Sequence, residues 1–409
     1  MQYVIIGNSV AAVGCIDGIR RTDPEGGITV VGREPYHVYS RPLISYLLLG
    51  KTDLNRMAYR PWDYYERNGC TLLKGKTVVK IDPKAHNVAL DDGTQLPYDK
   101  LLVATGSRPF VPPIKGLDTV GGYHTFMTLD DALRLQESVN KKSNVLIIGA
   151  GLIGLKCAEG IRHQVGSITI VDMAKQVLPS VLDEAGAAMV QKHLEAQGIK
   201  FILGAGIDSF DQKTMALQDG QHISFDELVV AAGVRPEVEL VKDAGGKVER
   251  GIRTDHCGAT SLPDVFAAGD CAESFDITIN SHRILALLPN AYMQGECAGN
   301  SMAGGDMAFD RAIPLNATSL FGLHMTTAGS YIGEERIFQS EGNYKRLFIQ
   351  DDLLKGLIII GNVERTGIYT ALIRNKTPLS SIDFELIFEK PQLMAFSKKE
   401  RARQLGGVQ

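Results

Sequence analysis

The sequence predicts an α/β chain: two tandem doubly wound domains on parallel sheets, then a small α+β C-terminal domain. Three observations predict it. The chain repeats itself once, in order. Each copy opens with an apolar strand, a small-residue turn and a helical stretch. Beyond about residue 310 that pattern stops and short β-rich runs replace it.

An internal repeat organises the chain. Residues 90–109 (LDDGTQLPYDKLLVATGSRP) and 217–236 (LQDGQHISFDELVVAAGVRP) share ten of twenty positions. Upstream, residues 3–20 (YVIIGNSVAAVGCIDGIR) and 145–162 (VLIIGAGLIGLKCAEGIR) share seven of eighteen. Order is kept, which chance matches would not do. Each copy starts on a buried parallel strand, Tyr3–Ile6 and Val145–Ile148. A second β-branched run follows the helix, Ile28–Val31 and Ile168–Val171. Together these make the β-α-β unit of a doubly wound sheet. Hairpin sequence then surrounds Asp92-Gly93 and Asp219-Gly220, and a last apolar strand ends at Gly106 or Gly233.

Composition narrows the partners. Lys plus Arg is 43 against 47 for Asp plus Glu, a net charge of −4, which disfavours nucleic acid or an anionic membrane. Hydrophobic residues make 44% and charged residues 22%, which excludes bulk disorder, collagen and coiled coil. Glycine stands at 43 of 409, and that excess predicts tight turns and close backbone approaches. Val10–Cys15 faintly resembles a lipoprotein cleavage site, but the first basic residue is Arg20, so no positive n-region precedes it. Apolar runs such as Leu357–Ile360 are far short of the roughly 20 residues a span needs. Six scattered cysteines without a CxxC motif read as reduced thiols in the cytoplasm.

Both glycine loops read as nucleotide sites of Rossmann-like domains. The second is a complete GxGxxG: Gly149, Gly151 and Gly154, with Leu152 and Ile153 opening the helix. Its glycines permit a tight turn and close approach of pyrophosphate, while the helix N-terminus offers free N–H groups. Asp172 follows the next strand, where an acid binds ribose hydroxyls and repels a 2′-phosphate. No arginine comes directly after it, which favours NAD(H) over NADP(H). In the first copy, Gly7, Asn8, Ser9, Ala11 and Ala12 form the loop, with small residues replacing two glycines. Its acid is Glu34, although the repeat places Gly32 opposite Asp172.

These loops, with Ala104-Thr105-Gly106 and Val265–Asp270, resemble the two-dinucleotide-domain flavoproteins. The likeness is to pyridine nucleotide-dependent oxidoreductases of the rubredoxin reductase, ferredoxin reductase and nitrite reductase flavoprotein branch. It covers about residues 1–305. It implies that residues 1–112 and 243–310 form a discontinuous FAD-binding domain, 113–242 an NAD-binding domain and 311–409 an interface domain. It further implies FAD contacts from the first loop, Glu34, Arg41, Pro42, Val79, Ala104, Thr105, Gly106, Arg108, Gly269 and Asp270. Leu288 and Pro289 begin a helix directed at the flavin, and Gly233 joins the NAD-side set. The flavin N5 is the reactive centre, so no side chain is assigned as catalytic.

The segment where thiol-linked members carry a redox cysteine, residues 35–50, has none. Cys15 aligns with Cys157, so both are expected at one buried helix position. Lys156 stands where related NAD domains have Glu near the nicotinamide; it either tunes hydride transfer or faces solvent, and Glu159 supplies a displaced carboxylate. The nine histidines form no HxH or HxxxH pair, so no metal site is predicted, and His124 and His324 read as structural.

In the last third, β-rich runs including Tyr344–Ile349 and Gly356–Ile360 flank Asp351-Asp352. Residues 378–397 are expected to be helical, and Lys398, Lys399, Arg401 and Arg403 make a basic tail suited to an acidic redox partner. The resemblance thus implies an FAD enzyme exchanging a hydride with NAD(H) and electrons with a protein redox partner, an iron–sulfur subunit, ferredoxin or rubredoxin. That includes service as the NAD-linked subunit of a larger complex such as an aldehyde oxidoreductase. Oligomerisation or a hetero-complex is expected. Two rivals stay open: a stand-alone NADH oxidase using oxygen, and a non-catalytic flavin-bound interaction protein.

Overall fold

The computed structural model describes residues 1–405, with side chains through 402. In chain order the first half lays down β1 (Gln2–Ile6), α1 (Val10–Thr22), β2 (Gly27–Gly32), α2 (Ile44–Leu48), β3 (Cys70–Lys74) and β4 (Lys100–Val103). The second half follows with α3 (Leu129–Ser138), β5 (Asn144–Ile148), α4 (Leu152–Ile161), β6 (Ser167–Asp172), β7 (Ile199–Leu203) and β8 (Glu227–Val230). The chain then returns with β9 (Val265–Ala267) and α5 (Leu288–Met302). One sheet has the order β9-β4-β1-β2-β3 and the other β7-β6-β5-β8, with every neighbour parallel.

Both faces of these strands are covered, which explains their near-continuous apolar sequence. Along β1 the side chains alternate: Tyr3 and Ile5 join the core under α1, while Val4 and Ile6 join the core under the hairpin strands around Val88. Leu146 and Ile148 of β5 pack against Phe210, Met215 and Phe225 in the same manner.

The register of the repeats carries the duplication into three dimensions. Ile6 pairs with Val31, and Ile148 with Val171, so Gly32 and Asp172 are structurally equivalent. Two short strands, Ser107–Pro109 and Val234–Pro236, are the ends of the 90–109 and 217–236 repeats. They pair antiparallel, with Arg108 opposite Arg235 and each flanking residue opposite the other copy's flank. The two halves therefore meet about a local two-fold.

Helix α1 packs on α5 at backbone distance. A Cβ on Gly14 or Gly18 would lie 2.1 Å from the carbonyl oxygen of Tyr292 or Glu296. In return, Cβ atoms on Gly295 and Gly299 would lie 2.0 and 2.1 Å from those of Ala11 and Cys15. This contact accounts for part of the glycine excess.

The chain divides into two compact units. The first takes residues 1–180, 187–274 and 282–309. The second takes the chain from Asp310 together with Val181–Gly186 and Phe275–Ser281, two segments expected in the nucleotide domains. They belong to the second unit because Tyr344 and Arg346 hold the Asp183 carboxylate there, and Asp276 bridges to Ala312. A five-stranded antiparallel sheet over 315–360 forms its centre, covered by the helix Thr366–Asn375. The expected helix over 378–397 is broken into Leu379–Ser381, Phe384–Glu389 and Leu393–Ala395. Pro391 ends the middle piece, since it has no N–H to continue the ladder. Lys398–Leu405 is helical, and the Arg403 side chain lies outside the described residues. Among the described residues no helix is long and apolar enough to cross a membrane.

Candidate functional site

The first loop begins a cleft at the C-terminal ends of β1, β2 and β4. Gly7 adopts φ +111°, and a Cβ there would stand 2.1 Å from the Ala104 carbonyl oxygen. Gly149 repeats this at φ +113°, with the Ala231 oxygen 2.2 Å from its would-be Cβ. Glycine is required at both turns, because the chain must pass this close to the neighbouring strand end. Nothing lies within 4 Å of a Cβ on Gly151, so that position leaves open space before α4.

Around the first loop the cleft is lined by Asn8, Ser9 and Ala11, by Glu34 and Arg41, and by Ala104–Arg108, Gly269, Asp270 and Leu288. Its charged side chains hold one another. Tyr39 Oη donates to Glu34 at 2.6 Å, and Arg41 forms an ion pair with the same carboxylate. Arg41 Nη1 also donates to the Met127 carbonyl at 3.2 Å, and the Leu129 N–H donates to Tyr39 Oη at 2.9 Å. The cleft wall is thus tied to the start of α3 in the other half. Burial pushes the Asp270 carboxyl above the usual carboxylate range, partly offset by the Ser107 hydroxyl, 3.3 Å away, and by Arg41. A half-buried carboxylate with one long hydrogen bond suits a ligand hydroxyl as its donor.

The second loop has a different acid. One Asp172 oxygen accepts the Ala150 N–H at 2.7 Å and the other accepts the Ala174 N–H at 2.8 Å. The carboxylate therefore braces the glycine loop, and each oxygen keeps capacity for a ribose hydroxyl. Gly154 needs its missing side chain, since a Cβ would stand 2.0 Å from the Gly149 oxygen. Ala12, at the same place in the first copy, is fully buried in the core and does not line the cleft.

Three other expected contacts are not among the residues lining the cleft. Val79 is 56% exposed, and Val78 forms the wall instead. Pro42 and Pro289 are exposed; the first sits in the middle of the 3₁₀ turn Arg41–Leu43 and the second in the first turn of α5. Gly233 turns the chain at φ +111°, its carbonyl accepting the Phe110 N–H. Arg108 lines the cleft and pairs with Glu239 at 2.8 Å. The sequence reading missed Ser107, Thr128, Glu237 and Glu239, which also line the cleft. Glu237 follows the Arg235-Pro236 end of the second repeat, and Thr105 Oγ1 donates to its carbonyl at 2.6 Å. That position was the available signal.

Lys156 is half-buried: it forms an ion pair with Glu159 and lies over the Tyr46 ring. His124 is bonded to Glu227 and Ser138, whereas His324 is exposed on its strand. Cys15 and Cys157 are both fully buried on their helices. Burial pushes their thiols and that of Cys271 up, and those of Cys70 and Cys297 to about 11 and about 12. These five stay protonated at neutral pH, when the thiolate is the reactive form.

The model of the family described as pyridine nucleotide-disulphide oxidoreductase matches residues 1–295. The chain belongs to this family. It is an FAD-dependent NAD(H) oxidoreductase. A similar relative is the NADH-dependent phenylglyoxylate dehydrogenase subunit epsilon of Aromatoleum evansii, 32% identical over 93% of each chain. Another is the assimilatory nitrate reductase electron transfer subunit of Bacillus subtilis, 32% identical over 88% of this chain and 48% of its own. The chain therefore spans about half the length of that relative. Among solved structures, the covalent putidaredoxin reductase–putidaredoxin complex matches with TM-score 0.88 at 23% identity, covering 100% of this chain and 99% of that one. At that identity the likeness is one of fold.

Proposed function

We propose that this chain is the NAD-linked flavoprotein of a redox system, passing electrons to or from a separate iron–sulfur or rubredoxin-type protein in the cytoplasm. In this reading residues 1–112 and 243–310 hold FAD, 113–242 hold NAD(H), and 311–409 contribute an interface. Bound FAD supplies the redox chemistry, exchanging a hydride with NAD(H) and electrons with the protein acceptor. The chain's own side chains bind and orient. Gly7, Ser9 and Ala11 present loop amides to the pyrophosphate, and Glu34 takes the adenosine ribose. Asp270 accepts a ribityl hydroxyl, which relieves the cost of its burial. Leu288 lines the cleft at the N-terminus of α5, where the positive end of the helix would stabilise negative charge on a reduced flavin. Gly149, Gly151 and Gly154 receive the dinucleotide of NAD(H), with Asp172 on its ribose.

The single observation carrying this reading is the repeated glycine turn at Gly7 and Gly149, with a different acid beside each. A subunit role in a larger complex, such as an aldehyde oxidoreductase, is supported by the Aromatoleum relative's name as a dehydrogenase subunit. The test is anaerobic addition of NADH to purified protein. Flavin absorbance is expected to bleach, and to recover when a ferredoxin or rubredoxin is supplied. Rapid NADH consumption in air that no added protein accelerates identifies an oxidase instead. A flavin that NADH leaves oxidised identifies a binding protein without catalysis.

A further inference from the structure

The helix that opens the second nucleotide site also grips the first half of the molecule. Lys156 stands on α4 two residues beyond Gly154. Its Nζ lies 4.5 Å from the centroid of the Tyr46 ring and pairs with the Glu159 carboxylate. Both charged side chains are withdrawn from water, 16% and 6% exposed. Tyr46 belongs to α2, five residues after the cleft-lining Arg41. One turn further along, Gly160 lets α4 approach α2: a Cβ there would stand 3.2 Å from the Ser45 oxygen. Beyond it, Gln164 Nε2 donates to the Leu48 carbonyl at 2.6 Å. Two levels of α4 and the turn just beyond it thus meet α2, the first of them through the Lys156–Glu159 pair.

That contact spans the two halves whose cofactors must meet. Hydride transfer requires donor and acceptor atoms about 3–3.5 Å apart, and an error near 1 Å costs about a hundredfold. The two glycine loops sit on separate sheets, so their mutual placement depends on contacts such as this one. An ammonium between a ring face and a carboxylate has a defined direction and distance to each, whereas an apolar pair could slide.

We propose that Lys156, held by Glu159 against Tyr46, is a positioning residue that latches the NAD(H)-binding half onto the FAD-binding half and so sets the hydride-transfer distance. The proposal rests on the two cofactor sites as read above. It has Lys156 act through Tyr46 and not on a cofactor, so affinity for each should survive its loss; a raised NADH requirement at an unchanged limiting rate would place Lys156 on the nicotinamide instead and overturn the latch.

The test uses the full FAD-loaded chain and four variants: K156M, K156R, Y46L and Y46F. For K156M and Y46L, anaerobic stopped-flow mixing with NADH should show a limiting rate of flavin bleaching about tenfold or more below wild type. The NADH concentration giving half that rate should stay within about threefold, since uniform binding is untouched. K156R and Y46F keep a cation and a ring, and should reduce near the wild-type rate. Combining K156M with Y46L should cost no more than either alone, because both remove one contact. Independently of turnover, backbone amides of Ile44–Leu48 should exchange with deuterium faster in K156M and Y46L, with those of α1 unchanged. Wild-type bleaching by K156M, additive losses in the double variant, or equal losses in K156R would each overturn the latch. Should K156M shed its flavin, Y46L carries the same measurement with the ion pair left in place. If NADH fails to bleach the wild-type protein, the cofactor reading fails, while the exchange measurement still reports on the latch.

Discussion

Helices α1 and α4 follow the two glycine loops at equivalent places, yet they grip different neighbours with different chemistry. The repeat sets Gly14 against Lys156, Asp17 against Glu159, and Gly18 against Gly160. On α1 the glycines bring the helix against the backbone of α5, within its own nucleotide-binding half. Asp17 there accepts hydrogen bonds from Arg60, Tyr64 and Tyr292, at 2.9, 2.6 and 2.8 Å. On α4 the same face carries a charge pair and reaches α2, across to the other half. The loops stay alike because each turn passes against the carbonyl oxygen of a neighbouring strand end, a geometry that tolerates few residue types. The outer faces differ because each copy must bury its helix against a different surface.

The largest expected effect breaks the packing side of that comparison. Gly18→Ala puts a Cβ 2.1 Å from a backbone oxygen that cannot yield, so α1 and α5 must separate. It should cost about 3 kcal/mol, the upper end for overpacking. Gly160→Ala meets its nearest oxygen at 3.2 Å and the Leu48 side chain at 3.3 Å. Its cost should stay below about 1 kcal/mol, as small shifts suffice. Denaturant midpoints followed by the fluorescence of the sole tryptophan, Trp62, measure both, and equal losses would erase the contrast.

A smaller effect sharpens the difference between the acids. Asp172→Ala frees the Ala150 and Ala174 amides, and should weaken NAD(H) binding by about 1–2 kcal/mol while leaving flavin content intact. Glu34→Ala should do the reverse, releasing flavin and sparing NAD(H) affinity. Titration of each variant with NAD(H), alongside its flavin-to-protein ratio, decides the matter. Unchanged NAD(H) affinity would remove Asp172 from the site.

The smallest effect is on the stability of the flavin-free protein. Burial raises the Asp270 carboxyl above its unfolded value, so the folded state binds the extra proton. Its contribution is therefore favourable at low pH and is lost as pH rises through the folded value. Asp270→Asn should flatten this slope and leave the flavin-free protein as stable or more stable at neutral pH, while weakening flavin retention. A slope unchanged by the substitution in a pH series of melting temperatures would show that Asp270 is not its source.

Much of the site was legible in the sequence where the signal lay in backbone geometry. Gly7, Gly149 and Gly154 occupy positions where a Cβ would strike a carbonyl oxygen, and such positions announce themselves as glycine. Residues brought in from distant strands did not. Ser107 and Glu237 line the cleft because the two repeat ends pair with each other, which neither end reveals alone. Val79 was expected on the wall that Val78 supplies; strand side chains alternate, so a slip of one residue selects the opposite face. Lys156 was recognisable as a charge out of place, but its neighbours Tyr46 and Glu159 decide that it is half-buried in a pair and not a free surface charge.

By itself the sequence determined the duplication, the two β-α-β units, the glycine turns and the acid beside the second loop. Each follows from local sterics or periodicity, which act over a few residues. Only the tertiary structure decided that Asp172 braces its own loop, and that α1 and α4 choose unlike partners. Those outcomes depend on which surfaces meet after the sheets form. Burial and charge pairing between segments far apart in the chain settle that choice, and no short window of sequence contains both members of such a pair.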